Sequence, residues 1–145
     1  MEQIESLLPV LKSFSEAWQY RKPEPPVKIG REIPSSKQSI ARGRELYVEK
    51  ECWKCHGEKG HGDGPSSYDL VDEWDMPIQA YDFTQPGKFK GGATNQDIYL
   101  RFTTGINGTP MPSFDTELSD DDRWSLVHYV KSLSEQKEAH GHHKH

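Results

Sequence analysis

Apolar residues recur every three or four positions near the two ends of the chain and lose that rhythm in the middle. Over residues 1–20, Ile4, Leu7, Leu8, Leu11, Phe14 and Trp18 fall on one helical face, with Glu, Lys and Ser on the other. Pro9 predicts a kink or break there. Ser35, following Pro34 and followed three residues on by Gln38, predicts the capped start of a helix running to about Lys50, with Ile40, Gly43 and Tyr47 on one face. A glycine inside a helix costs ~1 kcal/mol against alanine, so Gly43 predicts that another helix crosses closely there. Residues Asn95 to Thr104 predict a short helix ended by Gly105. In the last helix Ser119 caps, Asp120, Asp121 and Asp122 fill the first turn, and Trp124, Leu126, Val127, Tyr129, Val130 and Leu133 form the apolar stripe. No stretch reads convincingly as a strand, so the expected class is all-α.

Two stretches lack periodicity. Residues 21–30 (RKPEPPVKIG) read as an extended linker, because three prolines in four residues hold the backbone open. Residues 57–94 are punctuated by glycine and proline and carry Tyr68, Trp74, Tyr81, Phe83 and Phe89 in what reads as long loops. Loops of that length in a small domain usually wrap something. The expected organisation is an N-terminal amphipathic helix at 1–20, a Pro-rich linker at 21–35, the main domain at 36–135 and a His-rich disordered tail at 136–145.

One repeat bears on that organisation. Leu7 to Glu16 aligns without gaps on Leu126 to Glu135, with five identical residues and further apolar matches. Residues 1–20 then read either as the closing helix of a preceding, similar domain or as an extra helix packed on this one.

Composition sharpens the picture. Apolar residues make up 32% and glycines number 12 among 145 residues, together short of the ~45–50% usual in globular chains. A large bound cofactor would supply the missing core. Eighteen basic residues against 23 acidic ones, a formal net charge of −5, argue against a nucleic-acid binder. The longest apolar run, Leu7 to Leu11, is far below the ~20 residues of a membrane span. No basic-then-apolar secretion signal opens the chain, which leaves a cytosolic protein or one shown without its leader.

The only two cysteines lie in Cys52-Trp53-Lys54-Cys55-His56, the C-x-x-C-H pattern of covalent haem attachment. Two thiols at this spacing add across the two vinyl groups of one porphyrin, and the histidine directly after them reaches the iron from the same side. A zinc site recruiting His61 would lack the long loop between ligand pairs, a thioredoxin-like dithiol would need a strand before its helix, and a disulfide across two residues closes too short a loop to stabilise much.

The sixth iron ligand decides what such a haem does, since His/Met ligation suits electron transfer and an open position suits catalysis or sensing. Met76 lies between Asp75 and Pro77, whereas Met111 lies in a loop where Gly105 and Gly108 permit turns and Pro110 and Pro112 fix the backbone on either side. A loop that holds one thioether still favours Met111 over Met76. His61 lies too near His56 in sequence to cross a haem, and His128 is expected to meet solvent or a surface hydrogen bond. The tail histidines His140, His142, His143 and His145 suggest metal binding or disorder.

A helix with Gly43 and Tyr47 leading into Cys52-x-x-Cys55-His56, the Met111 loop, and a closing helix bearing Tyr129 resemble the class I c-type cytochromes over roughly residues 36–135. The resemblance implies the small all-α cytochrome c fold, with long haem-wrapping loops and here an extra N-terminal helix and Pro-rich linker. It implies that the first and last helices cross with Gly43 and Tyr47 against Tyr129, that one haem c is attached covalently at Cys52 and Cys55, and that His56 is the proximal and Met111 the distal iron ligand. Residues 97–114 and 122–130 also look like cytochrome domains found, singly or in tandem, with respiratory oxidoreductases. The long 57–94 segment and the Pro-rich arm depart from the family.

The implied function is one-electron transfer between larger redox proteins, with no catalytic residue and no enzyme activity of its own. The rivals are a haem sensor or small catalytic cytochrome with a displaceable sixth ligand, and a haem relay domain within a larger multihaem subunit. Docking is expected to be transient and steered by charge towards a basic partner, with Lys54, Lys59, Lys88 and Lys90 able to invert the local sign. Tyr68, Tyr81, Phe83, Phe89 and Phe114 are candidates to shield the porphyrin. Attachment of haem c outside the cytoplasm, as in the family, makes the periplasm the expected location.

Overall fold

The computed structural model describes residues 2–20, 22, 25–85, 89 and 91–141, without the side chains of 2–4, 17, 19 and 135–141. Six α-helices follow in order: α1 (Glu2–Ser13), α2 (Glu16–Tyr20), α3 (Lys37–Glu49), α4 (Trp53–His56), α5 (Asn95–Thr104) and α6 (Asp120–Gly141), with a single 3-10 turn at Ser67–Asp69. No β-strand occurs among the described residues; one antiparallel bridge joins Val71 and Pro77.

Local chemistry sets the helix ends. Ser36, one residue after the expected Ser35, caps α3: its hydroxyl accepts from the Ser39 N–H, and the Ser39 hydroxyl accepts from the Ser36 N–H. That reciprocal pair satisfies two donors which a cap at Ser35 would leave open. Thr94 and Asp97 do the same for α5, which ends at Gly105 with φ of 65°. Ser119 accepts the Asp122 N–H at the start of α6. Pro9 does not break α1; the helix passes through it and stops at Ser13, so the break falls at Phe14 and Ser15. Proline removes one N–H and with it one helical bond, a loss the neighbouring turns absorb here. At the other end α6 runs past 135 to Gly141, through the good helix formers of EQKEA; His142, His143 and His145 of the expected tail lie outside the described residues, as do Lys88 and Lys90.

The core forms where α3 and α6 cross, with α5 packed on α6. A Cβ at residue 43 would run into the Ser125 carbonyl oxygen and lie 2.7 Å from the Tyr129 Cβ, so Gly43 is the close-approach point that the sequence predicts. Tyr47 meets Tyr129 edge-on, ring centroids 5.2 Å apart. Tyr99 packs on Trp124 at 4.5 Å, and the buried Arg123 guanidinium lies over the Tyr99 ring while binding Asp115 at 2.8 Å and Asp120 at 3.0 Å. The segment before α3 is tied to this layer: Trp124 Nε1 donates to the Gly30 carbonyl at 3.1 Å, and Ile33 packs against the core.

By contrast, Leu7, Leu8, Val10 and Leu11 of α1, Phe14 at the break and Trp18 of α2 are exposed. No helix among the described residues is long and apolar enough to cross a membrane.

Candidate functional site

The chain reverses between α3 and α4 at Glu51, whose φ of 57° is a left-handed conformation that non-glycine residues rarely adopt. The reversal sets Cys52 at the start of α4 and places Cys55 and His56 within the same single turn. Neither cysteine is in a disulfide.

Backbone hydrogen bonds fix this turn almost atom by atom. The carbonyls of Trp53, Lys54, Cys55 and His56 accept from the N–H groups of Gly57, Ser66, Gly64 and Gly62, at 2.8, 2.8, 3.2 and 2.8 Å. The next carbonyl, Gly57, accepts from the buried Tyr47 hydroxyl at 2.6 Å. Gly64 must be glycine for this arrangement, since a Cβ there would collide with the Trp53 and Lys54 carbonyls.

His56 is oriented from behind. Its Nδ1 lies 3.1 Å from the Tyr81 carbonyl oxygen. A carbonyl only accepts, so Nδ1 carries the proton and the Nε2 lone pair is left for a metal. The ring stacks on Phe83 at 4.3 Å between centroids, and Tyr81, Phe83 and Phe89 form a cluster beside it. Burial lowers the pKa of His56, with the Tyr81 carbonyl pulling the other way, so the ring is held neutral, as a ligand requires. Burial likewise pushes the Cys52 thiol up to about 11.

Met111 arrives on a separate braced loop. Gly105 closes α5 onto the Arg101 carbonyl at 3.0 Å, the Ile106 N–H donates to the Met111 carbonyl at 3.2 Å, and the Met111 N–H donates to the Thr109 hydroxyl at 3.3 Å. A side chain at 105 would press on the Met111 carbonyl and the Pro112 and Ser113 backbone, all within 2.8 Å of a Cβ. Met111 is half-buried and packs at the edge of the core, as do Cys52, Trp53, Tyr81 and Phe89. Met76 is 60% exposed.

The structure thus brings Cys52, Cys55 and His56 together in one turn and holds Met111 on a second element at the core edge. His61 points elsewhere, with Nδ1 3.5 Å from the Thr84 hydroxyl and 3.8 Å from Asp82. One expectation is corrected. His128 is not at the surface: it is 3% exposed and its Nδ1 lies 2.9 Å from the Ser39 hydroxyl, because α3 closes over that face of α6. Of the aromatic candidates, Phe83 and Phe114 are buried and Tyr68 is 81% exposed. The orienting role of Tyr81 and the bond from Tyr47 to Gly57 were not legible in the sequence, since each depends on a backbone carbonyl.

These residues fit a covalently attached haem: two free thiols on one turn, a neutral imidazole with its outer nitrogen tied and its inner nitrogen free, and aromatic rings beside it. Among the described residues, no three His, Cys, Asp or Glu side chains converge as a metal-ion site of their own. The sequence matches the cytochrome c family over residues 40–134. A chain of the reducing HAO-like protein complex of Kuenenia stuttgartiensis is similar in structure, with a TM-score of 0.82 and 59% identity over 88% of the present chain. The present chain spans 58% of that chain's length. No curated protein matches.

Proposed function

The chain belongs to the cytochrome c family and carries one covalent haem c, and from that premise we propose that it is a one-electron carrier whose iron is held by His56 and Met111. Haem-based electron transfer is the family's chemistry. Bound haem supplies an iron centre that takes up or gives up one electron without a bond being made or broken. The chain's own residues do the rest. Cys52 and Cys55 anchor the porphyrin. The Tyr81 carbonyl keeps the His56 ring in one tautomer and one orientation. The aromatic cluster of Tyr81, Phe83 and Phe89 excludes water from that side.

The observation that carries the His/Met reading is burial: both loop methionines are fixed by hydrogen bonds at their own N–H and C=O, but Met111 is half-buried against the core and Met76 is 60% exposed. An optical spectrum of the haem-loaded protein tests it. A weak near-infrared sulfur-to-iron band in the oxidised form, and no response of the reduced form to carbon monoxide, support a held methionine. A missing band with ready carbon monoxide binding would put a sensor or catalytic cytochrome in its place.

The similarity to a chain of an HAO-like complex supports a place beside a larger oxidoreductase, where this chain would act as the electron-transferring part. Its location on this reading is the periplasm, because haem c attachment in the family takes place outside the cytoplasm. A second reading, a haem relay within a multihaem subunit, is favoured by one observation. The segment Leu7 to Glu16, which repeats Leu126 to Glu135 of α6, is helical over most of its length and leaves its apolar side chains uncovered. On this reading residues 1–20 close a preceding domain, 21–35 link it, and 36–135 form the present one. The full gene decides: an upstream C-x-x-C-H domain supports the relay, and its absence removes it.

A further inference from the structure

After α2 the three most exposed large apolar side chains among the described residues, Tyr68, Trp74 and Met76, fall on or next to one hairpin, whereas Val27, Ile29, Val48 and Ile106 are exposed singly outside it. Trp74 is 75% exposed, and Tyr68, Val71 and Met76 are exposed beside it. This is not a slack loop. The Ile78 N–H donates to the Leu70 carbonyl at 3.0 Å and the Asp72 N–H to the Met76 carbonyl at 3.0 Å. At the tip one carboxylate oxygen of Asp72 accepts from the Trp74 and Met76 N–H groups at 2.9 and 3.0 Å, while Asp75 takes a left-handed φ of 59°. The exposed indole is therefore presented on a preorganised frame, which reduces the ordering cost of any contact made through it.

The hairpin is also fastened to the loop that carries Met111. The Glu73 N–H donates to the Gly108 carbonyl at 2.9 Å, and a Cβ at 108 would lie 3.2 Å from the Glu73 carboxyl group. Its charge is one-sided. Residues 60–87 contain no Lys or Arg and six acids, four of them Asp69, Asp72, Glu73 and Asp75.

We propose that the hairpin at 70–78 is the docking surface for the redox partner, and that the partner is a protein presenting an apolar patch rimmed by basic residues. The inference rests on the electron-carrier reading and names the partner's chemistry. Trp74 is the central contact, of the kind that dominates small interfaces. The acids around it steer encounter and set the sign of the partner. In the docked pair one electron leaves the reduced carrier and enters the oxidised partner, with no proton or bond exchanged.

The test is stopped-flow oxidation of the reduced, haem-loaded protein by three acceptors: ferricyanide, a basic monohaem cytochrome and an acidic one. The expected result is that the basic cytochrome reacts faster than the acidic one and slows as salt is added. Trp74→Ala should slow the basic acceptor about tenfold while leaving ferricyanide within twofold. The double variant Asp69→Asn with Glu73→Gln, which keeps the backbone bond of Glu73, should flatten the salt dependence. Unchanged rates with the basic cytochrome in both variants, or no preference for it over the acidic one, would overturn the proposal. Failure of the wild-type protein to reduce even ferricyanide would instead overturn the electron-carrier reading on which it rests.

Discussion

The Nδ1 atom of His56 lies 3.1 Å from the carbonyl oxygen of Tyr81. That bond couples the turn bearing both cysteines to the middle of the long loop that follows it. It predicts a ring N–H that exchanges slowly with solvent. In the reduced, diamagnetic haem-loaded protein, nitrogen-resolved NMR should show a protected proton on the His56 Nδ1; a fast-exchanging or absent signal would mean that the ring is turned away from Tyr81.

Met111→Ala should leave the fold intact, because the loop is held by backbone and hydroxyl groups at Gly105, Ile106 and Thr109. Loss of a half-buried side chain costs at most about 2 kcal/mol. Carbon monoxide should bind all of the reduced variant under conditions where it binds none of the wild type, and Met76→Ala should behave like wild type.

Tyr47→Phe removes the shorter of two hydrogen bonds to the buried Gly57 carbonyl and leaves the one from the Gly60 N–H at 3.2 Å. Loss of one such bond costs about 1 kcal/mol. The denaturant midpoint of the haem-loaded variant should fall accordingly, with its spectrum unchanged, since the bond lies behind the turn.

Gly43→Ala sets a methyl group against the Ser125 carbonyl and Tyr129. Overpacking costs about 3 kcal/mol and the better helix propensity of alanine returns about 1 kcal/mol, so a net loss of about 2 kcal/mol is expected in a guanidinium titration.

His128 predicts a pH dependence. The Ser39 hydroxyl donates to the Ser36 carbonyl, so it accepts the His128 Nδ1 proton, and the buried Nε2 is left without a partner among the described residues. Burial lowers the His128 pKa, with Glu32 opposing. The unfolded chain therefore binds the proton first, near pH 6.5, and the folded state resists it. Stability is full above pH 6.5 and falls as the pH drops below it. His128→Gln should be less sensitive over pH 7.5 to 5 than wild type, measured by denaturant midpoints.

How much of this the sequence shows depends on whether side chains or backbone carry the information. The helices α3, α5 and α6 announce themselves through periodicity and caps, and the close approach at Gly43 follows from a glycine where a helix does not want one. The turn with Cys52, Cys55 and His56 is legible because covalent chemistry demands that spacing. The one-turn helix α4 is too short to show a period. The burial of His128 depends on where α3 lies over α6, which no local pattern encodes, and the loop aromatics look alike in sequence although Phe83 is buried and Trp74 is not. The choice between Ser35 and Ser36 as cap turned on a hydroxyl at Ser39 rather than an amide at Gln38.

The pinning of five successive carbonyls around the cysteine turn has a consequence for how the surface can diverge. All the donors but the Tyr47 hydroxyl are main-chain N–H groups between residues 57 and 66, and within that span Glu58, Lys59, Pro65 and Ser66 are exposed. Those four positions can be rewritten, in charge or in size, while the geometry of attachment stays fixed. The scaffold separates the residues that hold the cofactor from those that give the neighbouring face its character, so one attachment turn can serve many different surfaces.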